Sequence, residues 1–326
     1  MSAEEDTGSG QVTSLCDWMS QLPGELHNIP LRSLAIPGSH DSMSYDLDIN
    51  SSIIEPVNLK GLSKIYLARR IVHRWAVTQE ESITKQLDAG VRYFDLRIAR
   101  KSNDTDPTRL YFYHGLRTRT DVETVLEMIH DWSVEHPKEI LILALSHFKG
   151  FKKHKVEQLH IHLISFIKTL FGTKLLHRVV RNPEFWNIPT LKSCWDSGRN
   201  VIVSYDYSAN QHPEMWGRIP YYYGDSMDPA EVESKLCQGL VQGRCSQGFY
   251  VCGLNLTLPE DARILRYIFR PRDSLTKVLK RSLPKLLQWV KRQTSERPNI
   301  VASDLVTRDN FVSTVVQLNI SKLEIT

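Results

Sequence analysis

Short apolar runs alternate with segments of helical periodicity along most of this 326-residue chain. Residues 140–145 are continuously apolar, which is typical of a strand with both faces buried in a parallel sheet. Apolar residues at helical spacing predict a helix over 121–135, with Asp121 as its N-cap and His136-Pro137 as its end. The pattern therefore predicts strands and helices in alternation.

Strands and helices are predicted in alternation along the rest of the chain as well. The predicted strands are 31–36, 91–96, 110–113, 140–145, 200–205, 249–256 and 299–302, with an eighth near 219–223. The predicted helices are 81–87, 121–135, 154–170, a basic region up to residue 292 that is broken at Pro284, and 310–318.

This alternation predicts a parallel sheet covered by helices. It fits an irregular (β/α)8 TIM-type barrel that forms a single domain over residues 13–320. A doubly wound open sheet is the alternative, although the chain has neither Gly-x-Gly-x-x-Gly nor a P-loop to favour it. We expect residues 1–12 to form a disordered N-terminal tail and residues 321–326 a C-terminal tail.

Composition narrows the class of protein. The chain contains no run of about 18 apolar residues, so we expect no membrane-spanning helix. Its acidic, Gly/Ser-containing first residues lack the features of a secretory signal. The five cysteines are odd in number and widely spaced, without a CxxC pair, which favours reduced thiols. We therefore expect a cytoplasmic protein.

Charge is unevenly distributed. The net charge of +4 is too small to indicate nucleic-acid binding, but residues 263–292 contain ten Lys or Arg and a single acid, Asp273. A second basic cluster contains Lys149, Lys152, Lys153 and Lys155. Apolar residues such as Phe269 and Trp289 interleave with the bases, which predicts peripheral docking on an anionic membrane. A solvated helix face is the alternative for any such run.

Polar residues follow three of the predicted strands. His40-Asp41 comes after an Ile-Pro-Gly-Ser turn, Asp95 and Arg97 close the second strand, and His114 follows the third. In such folds, catalytic and ligand-binding side chains lie beyond the carboxyl ends of the strands. Two imidazoles, a guanidinium and supporting carboxylates are suited to the cleavage of a phosphodiester, because that reaction needs a base, an acid and a cation.

These motifs resemble the X-domain of phosphatidylinositol-specific phospholipases C, and most closely the small X-domain-containing proteins of vertebrates. The resemblance covers roughly residues 14–320. It also includes the segments Asp17-Trp18-Met19, Trp75-Ala76-Val77-Thr78-Gln79 and Ala302-Ser303-Asp304.

The resemblance implies roles for individual residues. His40 would be the base and His114 the acid, while Asp41 would support the acid and Asp304 the base. Asp304 could instead cap the last helix. Asp95 and Arg97 could likewise be an ion pair that only closes the barrel.

The resemblance also bears on metal binding. Calcium-dependent relatives have Glu-x-Asp where this chain has Asp95-Leu96-Arg97, and a Glu near Ser146-His147. Calcium prefers six or more oxygen ligands, largely from carboxylates. Arg97 resembles the arginine that replaces the metal in the bacterial enzymes. We therefore expect no metal and no other cofactor.

The function implied is a calcium-independent phosphatidylinositol-specific phospholipase C, a phosphoric diester hydrolase that acts on phosphatidylinositol or a related phospholipid. Its products would be diacylglycerol and an inositol phosphate, through a cyclic intermediate. The expected substrate-binding residues are Lys85, His147, Tyr205 and Asn255, although Lys85 could lie on a solvated helix face. The alternatives are a catalytically weak phosphoinositide-binding adaptor barrel and a metal-dependent glycerophosphodiesterase, which Arg97 disfavours.

Overall fold

A computed structural model describes residues 12–101, 104–151, 156–178, 180–182, 185–186, 188–207, 211–259, 267, 270, 272–294 and 297–321. Its strands are β1 Ile36–Ser39, β2 Tyr93–Arg100, β3 Leu110–His114, β4 Leu116–Asp121, β5 Leu141–Lys149, β6 Val180–Asn182, β7 Phe185–Trp186, β8 Val201–Tyr205, β9 Met215–Trp216, β10 Tyr221–Tyr223, β11 Val251–Gly253 and β12 Ile300–Ser303. Its helices are α1 Tyr66–Ala76, α2 Ile83–Asp88, α3 Val122–Glu135, α4 Val156–Phe171, α5 Leu191–Ser197, α6 Pro229–Cys245, α7 Leu275–Lys291 and α8 Phe311–Ile320. Of the expected tails, residues 1–12 and 321–326, all but residues 12 and 321 lie outside the described ranges.

Parallel strands curl into an irregular α/β barrel. Their order is β10-β11-β12-β1-β2-β5-β8-β9, so the last strand of the chain lies beside the first. Within the described ranges no ladder joins β9 to β10, and the ring is open there. The predicted barrel is confirmed, and the doubly wound alternative is wrong because strands that follow each other in the chain lie side by side around one ring.

The apolar patterns have the predicted effect on local structure. The first five residues of β5 and all of β8 are buried, as expected for strands covered on both faces. Helix α3 begins where predicted, because the Asp121 side chain accepts a hydrogen bond from the backbone N–H of Thr124.

The first strand lies later in the chain than predicted. Residues Leu31–Ser33 form a 3-10 turn, and β1 begins at Ile36 and includes Pro37 and Gly38. A Cβ at Gly38 would lie 2.9 Å from the Tyr93 side chain, so glycine permits β1 and β2 to pack closely. His40 therefore follows the strand directly.

The third predicted strand does not belong to the ring. Strand β3 pairs antiparallel with the second half of β2 and forms a hairpin with β4 at the edge of the barrel. The missing ring position is taken by the two-residue strand β9, which is too short to leave an apolar pattern in the sequence.

The basic region also differs from the prediction. Helix α7 continues through Pro284, because one side of the helix buries a row of leucines that holds it together across the missing hydrogen bond. Trp289 is 2% exposed and its indole N–H donates to Cys237 Sγ, so it is a core residue and not a membrane anchor. Phe269, Arg263 and Arg266, as well as Lys152, Lys153 and Lys155, lie outside the described residues.

Two expectations from composition can be compared with the structure. All five cysteines are free. Across the described residues, no helix combines the length and the apolar character that crossing a bilayer requires.

Candidate active site

The carboxyl ends of the parallel strands surround a cavity of about 430 Å³. The predicted site residues that line it are His40, Asp95, Arg97, His114, His147 and Asn255. Asp41 and Asp304 lie behind this wall, with side chains 1% and 3% exposed, and contact the lining histidines. The fold thus brings together residues that are far apart in the sequence.

His40 is attached to the ends of two strands. Its backbone N–H donates to the carbonyl of Ser303 at the end of β12. Its ring Nδ1 lies 2.7 Å from Asp304 Oδ1, and its Nε2 lies 3.0 Å from Arg97 Nη2. Because arginine nitrogens only donate, this geometry suits a neutral ring with Nδ1–H on Asp304 and a lone pair on Nε2. Such a ring can accept a proton at the cavity.

Asp41 links the two histidines to the arginine. Its Oδ2 lies 3.1 Å from His40 Nε2 and 3.3 Å from His114 Nε2, and its Oδ1 lies 2.9 Å from Arg97 Nε. Despite these short distances, neither carboxylate oxygen makes a well-aligned hydrogen bond within the described residues. The backbone at Asp41 is held in the left-handed region, with φ of 42°, where its N–H reaches Asp95 Oδ2.

Arg97 lies between two carboxylates at the cavity floor. Its Nη2 donates to Asp95 Oδ2 at 3.0 Å, while its Nε faces Asp41. Burial alone would lower the pKa of Arg97, but the two carboxylates raise it, so the guanidinium stays charged. Its side chain remains 21% exposed, which leaves a fixed positive charge accessible from the cavity.

His114, the last residue of β3, has an acceptor at each ring nitrogen. Its Nδ1 lies 2.6 Å from the carbonyl oxygen of Ala76, and its Nε2 faces the Asp41 carboxylate. Since a carbonyl and a carboxylate both accept, the doubly protonated ring satisfies this arrangement best. Asp41 Oδ2 faces the Nε2 atoms of both histidines, but of the two only His40 Nε2 also lies within hydrogen-bond distance of Arg97 Nη2, which can only donate.

Burial and neighbouring charges shift the pKa of three groups in the site. Burial alone would lower the pKa of His40, but Asp41 and Asp304 raise it above its ordinary value. Burial alone would raise the pKa of Asp41, but Arg97 and the two histidines lower it to about 2. Burial raises the pKa of Asp304, and the neighbouring His40 offsets this only in part.

Two glutamines hold the loop that carries His40 and Asp41. The side-chain amide of Gln79 donates to the carbonyls of His40 and Ser303, each at 2.9 Å. Gln86 donates to the Ser42 carbonyl and accepts from the Ser39 hydroxyl. The segment 75–79 therefore supports both histidines, because it also supplies the Ala76 carbonyl on which His114 rests.

The four predicted substrate-binding residues divide into two pairs. His147 and Asn255 line the cavity, and the Asn255 side-chain oxygen accepts a hydrogen bond from Tyr221. Lys85 lies outside it, 68% exposed on α2 and paired with Glu81. Tyr205 is fully buried, with its hydroxyl 2.8 Å from His160 Nδ1, and belongs to the core. The placement of Lys85 and Tyr205 in the cavity is therefore wrong.

Sequence reasoning did not select several polar residues that line this cavity, among them Tyr221, Arg218 and Asp206. Tyr221 lies 6.1 Å from the His40 ring between centroids, and its hydroxyl faces Asn255. Arg218 and Asp206 also line the wall, with 3.9 Å between Arg218 Nε and Asp206 Oδ2. The signal available was the tyrosine run at the eighth predicted strand, which marks a strand end near the other polar residues.

Comparison with known proteins agrees with this architecture. Residues 63–204 match the family described as phosphatidylinositol-specific phospholipase C, X domain. The Danio rerio protein named PI-PLC X domain-containing protein 1 is 38% identical over 320 residues, which cover 94% of this chain and 97% of the relative. The chain belongs to the PI-PLC X domain-containing protein family.

Other members of the PI-PLC X domain-containing family match over a similar length. The Homo sapiens protein 1 is 38% identical over 314 residues, covering 93% of this chain and 92% of its own length. The Homo sapiens protein 3 is 33% identical over 315 residues, covering 94% of each chain.

Solved structures show the same fold for this family member. The phosphatidylinositol-specific phospholipase C from Listeria monocytogenes superposes with a TM-score of 0.62 at 21% identity, covering 94% of this chain and 99% of the other. A Staphylococcus aureus phosphatidylinositol-specific phospholipase C gives a TM-score of 0.63 at 16% identity, covering 94% and 98%. At these identities the likeness shows the barrel alone.

Proposed function

We propose that this protein is a calcium-independent phosphodiesterase of the phosphatidylinositol-specific phospholipase C type. The observation that carries the proposal is the convergence of His40, His114 and Arg97 on one buried carboxylate, Asp41. A base, an acid and a fixed cation then face the same cavity, which is what phosphoryl transfer requires. Family membership supports the same reaction class.

The first step would be an internal transfer. His40 Nε2 takes the proton of the inositol 2-hydroxyl, whose oxygen then bonds to phosphorus. The bond between phosphorus and the glycerol oxygen breaks, and the proton on His114 Nε2 moves to that oxygen, which releases diacylglycerol. Arg97 balances the charge on the phosphoryl oxygens with its planar fork of donors. The product is a cyclic inositol phosphate.

The second step would reverse the proton transfers. His114, now neutral, takes a proton from water, and the water oxygen attacks the cyclic phosphate. His40 returns its proton to the departing 2-hydroxyl oxygen, which gives the open inositol phosphate. Asp304 holds the His40 ring in one tautomer and stabilises its cationic form during the cycle.

Arg97 also carries the proposed independence from calcium. His40, Asp41 and Asp95 offer ligand atoms close enough together to hold an ion. The Arg97 guanidinium, however, lies within 3.0 Å of both carboxylates, where it neutralises the charge a cation would need. We propose that Arg97 performs the charge stabilisation that calcium would otherwise supply.

Location and partners are part of the proposal. The five free cysteines favour the cytoplasm, where thiols are kept reduced. The lipid substrate requires peripheral contact with an anionic membrane surface, which the excess of Lys and Arg over residues 263–292 favours.

The decisive experiment measures diacylglycerol and inositol phosphate released from phosphatidylinositol vesicles in excess EGTA. Wild type and His162→Ala, which changes a surface histidine, are expected to release both products, whereas His40→Ala is expected to lose turnover about 10²- to 10⁴-fold. Release that depends on added calcium would contradict the role of Arg97. A folded wild type that binds the vesicles without any release would favour the adaptor barrel.

A further inference from the structure

A second depression opens beside the candidate active site. It is a groove of about 540 Å³ between residues 56–59 and the last turns of α1. Its walls are mainly apolar, with side chains from Val57, Leu59, Ile71 and Val72. A volume of this size lies within the usual range of ligand sites, about 300–1,000 Å³. Neither the base nor the arginine of the proposed reaction lines it.

The groove is continuous with the catalytic cavity. Glu55, Trp75, His114 and Leu258 line both depressions. His114 is the proposed acid, and the group that it protonates is the glycerol oxygen of the leaving lipid. The groove therefore begins on the side of the phosphorus where the leaving group must lie. Tyr221 and Asn255 line the catalytic cavity and not the groove, so the head group of the lipid is assigned to their side of the phosphorus.

Gly115 lies at the inner end of the groove, where the chain packs closely against α1. Its φ is 70°, and a Cβ there would lie 3.0 Å from Val72 and 3.1 Å from Ala76. Its carbonyl accepts from the backbone N–H groups of Ile54 and Glu55, which holds the segment before the groove against the end of β3. The wall beside His114 is thus fixed by backbone contacts.

The outer end of the groove leads to an unusual stretch of surface. Five large apolar residues between 57 and 67 are exposed, with Val57 at 67% and Leu67 at 64%. Residues 57–79 also contain five Lys or Arg and no acid. Exposed apolar side chains among bases are typical of a surface that meets an anionic lipid layer. Val57 belongs both to this exposed surface and to the wall of the groove, so the two adjoin each other.

We propose that this groove binds the glycerol carbons and the first methylenes of an acyl chain of the lipid substrate. The inference rests on the proposed function, because it places the leaving group next to His114. It adds a site for the apolar half of the substrate, which would draw the scissile bond from the lipid surface into the cavity and align the glycerol oxygen with the acid.

The test uses short-chain lipids below the concentration at which they aggregate, so that no membrane is present. Calorimetry measures the binding of dibutyryl- and dihexanoyl-phosphatidylinositol to His40→Ala, in which turnover is blocked. Complete burial of one methylene strengthens binding about fourfold, so two extra methylenes on one buried chain should strengthen it roughly 10- to 20-fold. Val57→Asn and Ile71→Trp, added to His40→Ala, should reduce this ratio to about threefold or less.

Matched controls separate the groove from general effects. Ile161→Asn removes an apolar residue that is 54% exposed on α4, away from the groove, and should leave the chain-length ratio unchanged. Val57 is exposed enough to be changed without loss of folding, which a thermal melt verifies. An unchanged ratio in both groove variants would overturn the proposal.

A further lipid distinguishes failure of the groove from failure of the proposed function. Dihexanoyl-phosphatidylcholine has the same chains and a different head group. If glycerophosphoinositol binds but chain length has no effect, the groove assignment is wrong and the head-group site stands. If the two dihexanoyl lipids bind equally, lose affinity in the groove variants, and wild type cleaves neither, the groove stands and the proposed reaction is wrong. Binding of no lipid to the folded protein overturns both.

Discussion

Two arginines that lie five residues apart in the chain, Arg92 and Arg97, have opposite surroundings. Arg92 precedes β2 and pairs with Glu139 at the amino-terminal end of the barrel, where both side chains are 0% exposed. Its guanidinium donates to Glu139 and to the carbonyls of Leu87 and Val91, each at 2.9 Å. Glu139 in turn accepts from two backbone N–H groups. This pair is fully hydrogen-bonded.

Arg97, five residues later, lies at the carboxyl-terminal end of the same barrel. It faces Asp41 and Asp95, but the Asp41 oxygens make no well-aligned hydrogen bond and the arginine remains partly exposed. Buried polar groups in proteins are normally hydrogen-bonded, so this shortfall needs a reason. Arg92–Glu139 is thus arranged as a stabilising pair of the fold, whereas in the proposed reaction Asp41 and Arg97 keep hydrogen-bonding capacity for the substrate.

The largest expected effect separates the two arginines. Arg97→Met should lower kcat/KM on phosphatidylinositol by about 10²- to 10³-fold or more, because it removes the charge that faces the phosphoryl oxygens. Arg92→Met should instead lower the free energy of unfolding by about 3–5 kcal/mol, because Glu139 is left buried without its partner. Steady-state kinetics and denaturant unfolding check the two halves. Equal loss of stability in both variants would contradict the division of roles.

A smaller effect comes from removing both members of each pair. The double variant Arg92→Met/Glu139→Leu should recover part of the stability lost in Arg92→Met, because it removes the unpaired buried carboxylate, while the backbone groups that both side chains bonded stay without these partners. The double variant Asp41→Asn/Arg97→Met should recover no activity, because the charge serves the reaction and not the fold. Urea midpoints and initial rates measure both outcomes, and recovered turnover in the second variant would rule out the proposed role of Arg97.

The pH profile tests the partners of His40. Asp41 and Asp304 raise the pKa of His40, and the base acts only when neutral, so activity should fall as the pH drops below that raised pKa. Asp304→Asn removes one of the two raising charges and should move the acidic limb of kcat/KM to lower pH, while kcat also falls as the ring loses its orientation. An acidic limb that stays in place, or that moves to higher pH, would contradict the pairing of His40 with Asp304.

The smallest effect is expected at Lys85. Its ammonium group is exposed and contacts Glu81 one helical turn away, outside the cavity. Lys85→Ala should therefore change kcat/KM by less than about twofold, as is usual for surface substitutions. Asn255→Ala, inside the cavity, is the contrasting variant and should raise KM. A large loss in the Lys85 variant would return that residue to the candidate site.

Much of the fold and of the candidate site could be predicted because both leave local signals. A buried parallel strand requires a continuous apolar run, so the strand at residues 140–145 could be predicted. His40, Arg97 and His114 could be selected because they are polar residues at the ends of predicted strands. The errors arose where the local signal was weak. Strand β9 has two residues, and Leu110–His114 has a strand pattern whether it lies in the ring or beside it.

Which side chains contact each other in the site depends on the tertiary fold, and no local pattern in the sequence predicts these contacts. Asp304 is 264 residues from His40 in the chain, and only the pairing of β12 with β1 brings their side chains to 2.7 Å. Lys85 lies in α2 and Tyr205 ends β8, and the direction of each side chain is set by the packing of the helix or strand that carries it. Neither direction follows from its position in the sequence.

By itself, the amino-acid sequence determined that strands and helices alternate in an α/β fold and that two histidines and an arginine lie at strand ends. Periodicity and residue type act over a few neighbouring positions, and the sequence states them directly. Only the tertiary structure decided that Arg92 is fully paired and Arg97 is not, and that an apolar groove adjoins His114. These properties depend on how distant segments pack and on which hydrogen bonds remain unmade after packing is complete.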